Sequence, residues 1–241
     1  MLRLIKFFKD FLLVFPITFI FQPIAKYLAF IYYFNRLIIW IFKNKNSIEF
    51  KDFYTPLRKY DRRLKLYDFV SDKHQLKTTA INYLEFGVAS GASFKWWLNN
   101  NSNPNSTFNG FDTFEGLPED WGTYNKGAMS SNMPQIDDQR GHFIKGLFQD
   151  TLTAFIKEKN SLLNQSTKKV IHMDADLYSA TAFALSQLYP FLNKGDLILF
   201  DEFSVAMHEF KAYDEFVHNF YINLKPIASV NNFYQTVFEV M

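Results

Sequence analysis

The chain has no cysteine, so neither disulfides nor thiolate metal sites are available, and the redox compartment stays open. It also lacks both familiar phosphate signatures. Its one glycine loop between a strand and a helix, Gly87-Val88-Ala89-Ser90-Gly91, has the spacing G-x-x-x-G. That spacing omits the middle glycine of the dinucleotide fingerprint, and no Gly-Lys-Ser/Thr ending makes it a P-loop. Net charge is nearly absent at +2 and uninformative as a total; its distribution, a basic apolar head on an acidic body, suggests a membrane surface sooner than nucleic acid. Uncharged runs are short as well. Phe11 to Ala25 contains Pro16 and Pro23 and stops at Lys26, short of the ~18–20 residues that cross a bilayer. No small-residue cleavage site follows, so a signal peptide is a poor fit.

What little charge there is falls unevenly. Residues 1–45 hold Arg3, Lys6, Lys9, Lys26, Arg36, Lys43 and Lys45 against Asp10 alone, a local charge of +6, leaving −4 for the remainder. A basic head rich in aromatics suits helices lying in the headgroup region of a membrane. Packing on the body, packing on a second subunit, or a true span that tolerates Lys26 are the competing readings. At 241 residues the chain suits one α/β domain with an appendage. It divides into 1–45, an apolar basic head; 46–79, a polar cover segment of helical tone; and 80–241, the main domain. The cover segment carries a basic patch (Arg58, Lys59, Arg62, Arg63, Lys65) that reads most simply as a solvated helix face.

Residues 168–203 read as strand, loop, helix, strand. Val170 to Met173 is a short apolar run ending at Asp174-Ala175-Asp176. Ala180 to Leu192 has apolar residues at helical spacing, with Pro190 near its end and Gly195 beyond. Leu197 to Phe200 is a second apolar run, ending at Asp201-Glu202. Two buried strands joined by a helix predict a parallel crossover, and ligands of such sheets bind beyond the carboxyl ends of the strands. Four carboxylates are thus expected at one rim, where their mutual repulsion is relieved by a cation or shared protons. Hard oxygen ligands of this kind suit magnesium, calcium or manganese. The competing reading is that these acids cap helices and face solvent.

Upstream, Ile81 to Phe86 reads as the first core strand, leading into the glycine loop. Phe108 to Phe111 reads as the second and ends at Asp112, which lies 112 − 91 = 21 residues beyond Gly91. An acid at about that separation meets a ribose hydroxyl pair, so loop and acid together describe a nucleoside pocket. The irregular segment from Trp121 to about Arg140 is long enough to predict either disorder or a working lid. His142 to Gly146 is a third strand, and Lys225–Val230 and Gln235–Val240 are antiparallel closing strands. His172, inside a strand, reads as a satisfied core residue, whereas His208 is a candidate for the pocket.

In this order, LEFGVASGAS (84–93), GFDTFEGLPEDW (110–121), FIKGLFQDTL (143–152), DADLYSAT (174–181), FDEF (200–203) and HEFKAYDEF (208–216) resemble the class I S-adenosylmethionine-dependent methyltransferases. More narrowly they resemble the metal-dependent sugar O-methyltransferases of macrocin, mycinamicin and novobiocin biosynthesis. The resemblance implies a doubly wound, mostly parallel seven-stranded sheet. It places Glu85, Gly87, Gly91 and Ser93 at the methionine and ribose end of S-adenosylmethionine and Asp112 on the ribose hydroxyls. It makes Asp174, Asp201 and Glu202 ligands of Mg2+ or another divalent hard cation, and Asp176 the general base. Glu202 stands where several relatives have Asp, which preserves a hard oxygen ligand. Leu177 stands where one relative has a histidine, and residues 1–45 have no counterpart.

The expected reaction is methyl transfer to a hydroxyl of a small-molecule or lipid-linked sugar, by a cytoplasmic protein peripheral at the inner face of the membrane and a candidate homo-oligomer. Three alternatives compete: a magnesium-dependent catechol-type methyltransferase, a nicotinamide-dependent enzyme on a similar sheet, and a non-catalytic membrane-associated protein that kept the fold.

Overall fold

The computed structural model describes residues 1–15 and 17–241; Pro16, one of the two prolines in the apolar head, lies outside the described residues. Two helices lead the chain, α1 (Leu2–Val14) and α2 (Gln22–Asn44). A two-residue strand β1 (Phe50–Lys51) and helix α3 (Arg62–Lys73) follow. The cover segment is therefore helical only over α3. The remaining order is β2 (Ile81–Phe86), α4 (Ala92–Asn100), β3 (Thr107–Asp112), β4 (Gly141–Lys145), α5 (Phe148–Glu158), α6 (Asn160–Leu163) and β5 (Lys168–Met173). Then come α7 (Tyr178–Leu188), β6 (Leu197–Phe200), α8 (Glu209–Asn219), β7 (Leu224–Val230) and β8 (Gln235–Val240). Past Leu188 the helical pattern tightens into a 3-10 turn, Tyr189–Phe191. Pro190 has no N–H to continue the α-helical ladder there.

The strands form one sheet in the order β1-β7-β8-β6-β5-β2-β3-β4. Neighbours are parallel except β8, which runs antiparallel to both β6 and β7. The expected seven strands become eight because β1, from the cover segment, adds itself to β7 at the edge through Phe50–Ala228 and Lys51–Ser229. All six residues of β2 and all four of β6 are buried, as central parallel strands covered on both faces must be. One core lies under α5, α7, α8 and the end of α2, and the other under α3 and α4.

Lys26 does not interrupt α2. Phe19–Asn44 is a continuous helical stretch of 26 residues, long and apolar enough by length and composition to cross a bilayer. Its second half, however, belongs to the body. Leu37 is buried, and Trp40 packs edge-on against Phe203, Tyr213 and Phe233 while its indole N–H donates to the Tyr213 hydroxyl at 3.0 Å.

Candidate active site

The carboxyl ends of β2, β3, β5 and β6 meet at one rim, and the glycine loop is what lets them close. Gly87 sits at φ +96°, and a Cβ there would run into the backbone carbonyl of Asp174. Only glycine permits that approach at that φ. The Asp174 N–H donates to the Phe86 carbonyl at 2.8 Å and the Gly87 N–H to Phe111 at 2.9 Å, so three strand ends are stitched together. Asp112, closing β3, accepts the N–H groups of Val88 and Ala89 at 2.8 and 2.7 Å on one oxygen and that of Phe114 at 2.7 Å on the other. The carboxylate holds the glycine loop in shape. With about four acceptor sites on a carboxylate, it retains capacity for a pair of hydroxyls. Asp176 turns in the left-handed region at φ 57°, a conformation that aspartate tolerates better than most residues.

These ends enclose a cavity of about 530 Å³, whose walls include Gly87, Asp112, Asp174, Asp176, Glu202 and Trp121. The outer wall is the irregular segment after β3. Trp121 and Tyr124 exchange backbone hydrogen bonds of 2.9 and 2.8 Å and stack their rings 5.5 Å apart at 15°. The segment read as a lid does stand over the rim.

The acids lie as close as the strand ends suggested. One oxygen each from Asp174, Asp176 and Glu202 falls within 4.8 Å of the others, and so do a ring nitrogen of His172 and one oxygen each from Asp174 and Asp201. Asp174 belongs to both. Burial, then the neighbouring charges of Asp201 and Asp176, drives the Asp174 carboxyl well above its ordinary range. Burial and the charges of Asp174 and Glu209 do the same to Glu202. Burial lifts Asp176 to about 6. For Asp201 burial is outweighed by His172 and Arg63 and by the Tyr60 hydrogen bond, which hold its pKa low. Two buried oxygens, Oδ1 of Asp201 and Oε2 of Glu202, have no hydrogen-bond partner. Clustered carboxylates with unpartnered oxygens are the donor set of a hard divalent cation, so the residues present fit one.

Four residues at the site were not read from the sequence as part of it. Tyr60 donates to Oδ2 of Asp201 at 2.6 Å and itself accepts from Arg63 at 2.6 Å, with Arg63 also 3.8 Å from Asp201. Arg63 is thus turned inward, whereas Arg62 pairs with Asp52 at 2.7 Å on the outside; charge pattern alone does not separate them. His172 is buried, 3.0 Å from the Tyr83 hydroxyl and 3.8 Å from Asp201. It is a core residue that also borders the rim. Glu209, fully buried, accepts the Glu202 N–H at 2.8 Å and sets that residue's backbone. Its one sequence signal was a helix-opening acid close behind Asp201-Glu202.

Of the residues assigned to the cofactor, Gly87 and Asp112 line the cavity. Glu85 and Ser93 are buried behind it, Glu85 accepting from the Tyr83 hydroxyl at 2.6 Å. Gly91, at φ +80°, is covered by the Pro134 side chain. His208 lies beside the cavity wall rather than in it, edge-on to Trp121, with its Nδ1 accepting the Tyr178 N–H at 3.3 Å.

Comparison with known proteins supplies a family and a fold. Residues 61–236 match the Macrocin-O-methyltransferase (TylF) family. No curated protein sequence matches the chain. Among solved structures, CalS11, a calicheamicin methyltransferase, superposes with a TM-score of 0.59 at 20% identity, covering 76% of this chain and 80% of its own. The O-methyltransferase NovP gives 0.53 at 18% identity, covering 74% and 79%. A second structure of CalS11, described as a TDP-rhamnose 3'-O-methyltransferase, gives 0.54 at 19% identity, covering 76% and 81%. At these identities the likeness is one of fold; the family match spans most of the chain and every strand-end acid. The chain belongs to the macrocin O-methyltransferase family of S-adenosylmethionine-dependent O-methyltransferases.

Proposed function

We propose that the chain transfers a methyl group from S-adenosylmethionine to a hydroxyl of a sugar, with a divalent cation at the carboxylate rim. The observation that carries this reading is the gathering of acids at the strand ends: Asp174, Asp176 and Glu202 line one cavity together with Asp112 and Gly87, and Asp201 lies buried beside Asp174. The sugar acceptor is supported by the family and by the likeness to CalS11, a TDP-rhamnose 3'-O-methyltransferase.

Asp112 takes the ribose hydroxyls, as a strand-end acid does in a nucleoside pocket, while its backbone contacts keep the glycine loop open beside it. Asp174, Asp201 and Glu202 would hold the cation, with Tyr60 and Glu209 fixing two of the three. Such a cation, Mg2+ or another hard divalent ion, would supply Lewis-acid activation of the acceptor hydroxyl. Asp176 takes the proton as the acceptor oxygen attacks the methyl carbon in line with sulfur. Burial raises its pKa to about 6, making it more basic than an ordinary aspartate, as suits a general base. Trp121 and Tyr124 supply the apolar faces on which a pyranose ring stacks.

Incubation with methyl-labelled S-adenosylmethionine and TDP-rhamnose, with Mg2+ or with excess chelator, tests the reading. Label should appear in the sugar nucleotide with Mg2+, fall to background with chelator, and be lost in Asp176→Asn. Equal transfer with and without chelator would contradict the metal-assisted mechanism, and transfer to catechol in preference to the sugar would contradict the acceptor class.

A further inference from the structure

Among the described residues, those before Tyr33 lie almost wholly outside the body. No residue of α1 is buried, and Leu4, Phe8, Leu13, Phe19, Leu28 and Ile31 are all exposed, Leu13 by 80% and Phe19 by 70%. The exposure is organised. On α1, Arg3, Lys6 and Asp10 fall at i, i+3 and i+7 on one stripe with Lys9 beside it, while Leu4, Ile5, Phe8 and Phe11 share the opposite face. That is an amphipathic helix with a cationic edge.

The chain enters the body at a sharp boundary. The Tyr33 hydroxyl donates to Oε1 of Glu215 at 2.7 Å, and Arg36 grips Asp214 with two nitrogens at 2.7 Å each. Glu215 is a bridge, because its other oxygen accepts the Tyr178 hydroxyl at 2.6 Å. Tyr178 sits between Leu177 and Ser179, both in the cavity wall. The free helices therefore leave the body one carboxylate away from the rim of the methyl-transfer cavity.

Resting on the methyltransferase reading, we propose that residues 1–32 lie in the headgroup region of an anionic bilayer and hold the cavity rim at that surface, so that the acceptor is a glycan carried by a membrane lipid. Charge selects the occupant. Arg3, Lys6, Lys9 and Lys26 against Asp10 give this stretch +3, which complements anionic headgroups. Two copies apposed through the same face would bring like charges together. Length excludes a crossing while α2 stays docked. The free part of the continuous helix, residues 19–32, reaches about 21 Å at 1.5 Å per residue, against a hydrocarbon core of about 30 Å.

The test is sedimentation of the full chain with phosphatidylcholine vesicles, with and without phosphatidylglycerol, alongside titration of S-adenosylmethionine into the same protein. Binding should require phosphatidylglycerol. The triple change Arg3→Gln, Lys6→Gln, Lys9→Gln should weaken it about a hundredfold, three charges at about 1 kcal/mol each, with cofactor affinity unchanged. With labelled S-adenosylmethionine and total membrane lipids, label should enter the chloroform-soluble fraction in wild type and fall away in the triple variant. Protein that stays in solution with phosphatidylglycerol vesicles while binding the cofactor overturns the docking alone, most plainly if light scattering shows a stable dimer. Vesicle binding without cofactor binding overturns the methyltransferase reading instead. A wild-type chain that methylates TDP-rhamnose but puts no label into the membrane lipids overturns the lipid-borne acceptor.

Discussion

The strands of the sheet and the helices of residues 1–32 draw on the same side chains, Phe, Leu and Ile, and use them in opposite ways. In β2 and β6 every residue is buried, each large apolar side chain gaining about 1.5–3 kcal/mol over exposure. In α1 none is. Hydrophobicity does not distinguish the two; charge placement and the presence of a second layer do. Strands β3, β5 and β6 are bare of acids until their carboxyl ends, where the acids that follow become the site. The head interleaves Lys and Arg with its aromatics, and no layer of the body covers it before Tyr33. Apolar surface in this chain thus serves two ends, a core that positions carboxylates and a face for something outside the chain.

That division can be broken in graded steps. The largest effect belongs to the chemistry. Asp176→Asn should lower kcat by about 10²–10⁴-fold, the usual worth of a general base, with unchanged cofactor affinity and unchanged vesicle binding, as read in a methyl-transfer assay. Next is the buried acid behind the rim. Burial, only partly offset by the Tyr83 hydrogen bond, raises Glu85 from 4.5 to about 8. A raised folded-state pKa contributes stability that is complete below 4.5 and is lost as pH climbs through 8. Wild type should therefore weaken by several kcal/mol between pH 5 and pH 8.5, and Glu85→Gln should flatten that slope; parallel pH profiles of urea midpoints would count against it.

At the boundary, Trp40→Ala should cost about 2–3 kcal/mol in urea denaturation, less than full burial implies because Trp40 is half-buried. Arg36→Ala, removing a partly exposed pair with Asp214, should cost about 1 kcal/mol or less. Smallest of all, deleting residues 1–32 should shift the stability of the body by no more than about 0.5 kcal/mol, as expected of segments outside the packed structure, while abolishing vesicle binding. A melting temperature that collapses on deletion would mean the head is part of the core after all.

Much of this was legible in the chain. Apolar runs ending in acids, as at Met173-Asp174 and Phe200-Asp201, announce parallel strands with a rim, and the sheet has those strands at those residues. The glycine loop and Asp112 were equally plain, because a backbone that must approach another closely leaves a glycine at 87. What stayed hidden depends on long-range packing. Arg63 and Arg62 are neighbours of one type, and only the seating of α3 turns one toward Asp201 and the other toward Asp52. β1 is two residues long and exists because β7 offers an open edge. Glu85 and Ser93 share strand and helix with the rim yet face its back, a distinction of side-chain direction that spacing does not carry.

The most direct measurement is calorimetric titration of S-adenosylmethionine into the full chain in the presence of Mg2+. The account predicts saturable binding at one site, displaced by S-adenosylhomocysteine and weakened when Asp112 is replaced by Ala in a protein that still folds. A folded wild-type chain that takes up no cofactor under those conditions would contradict it.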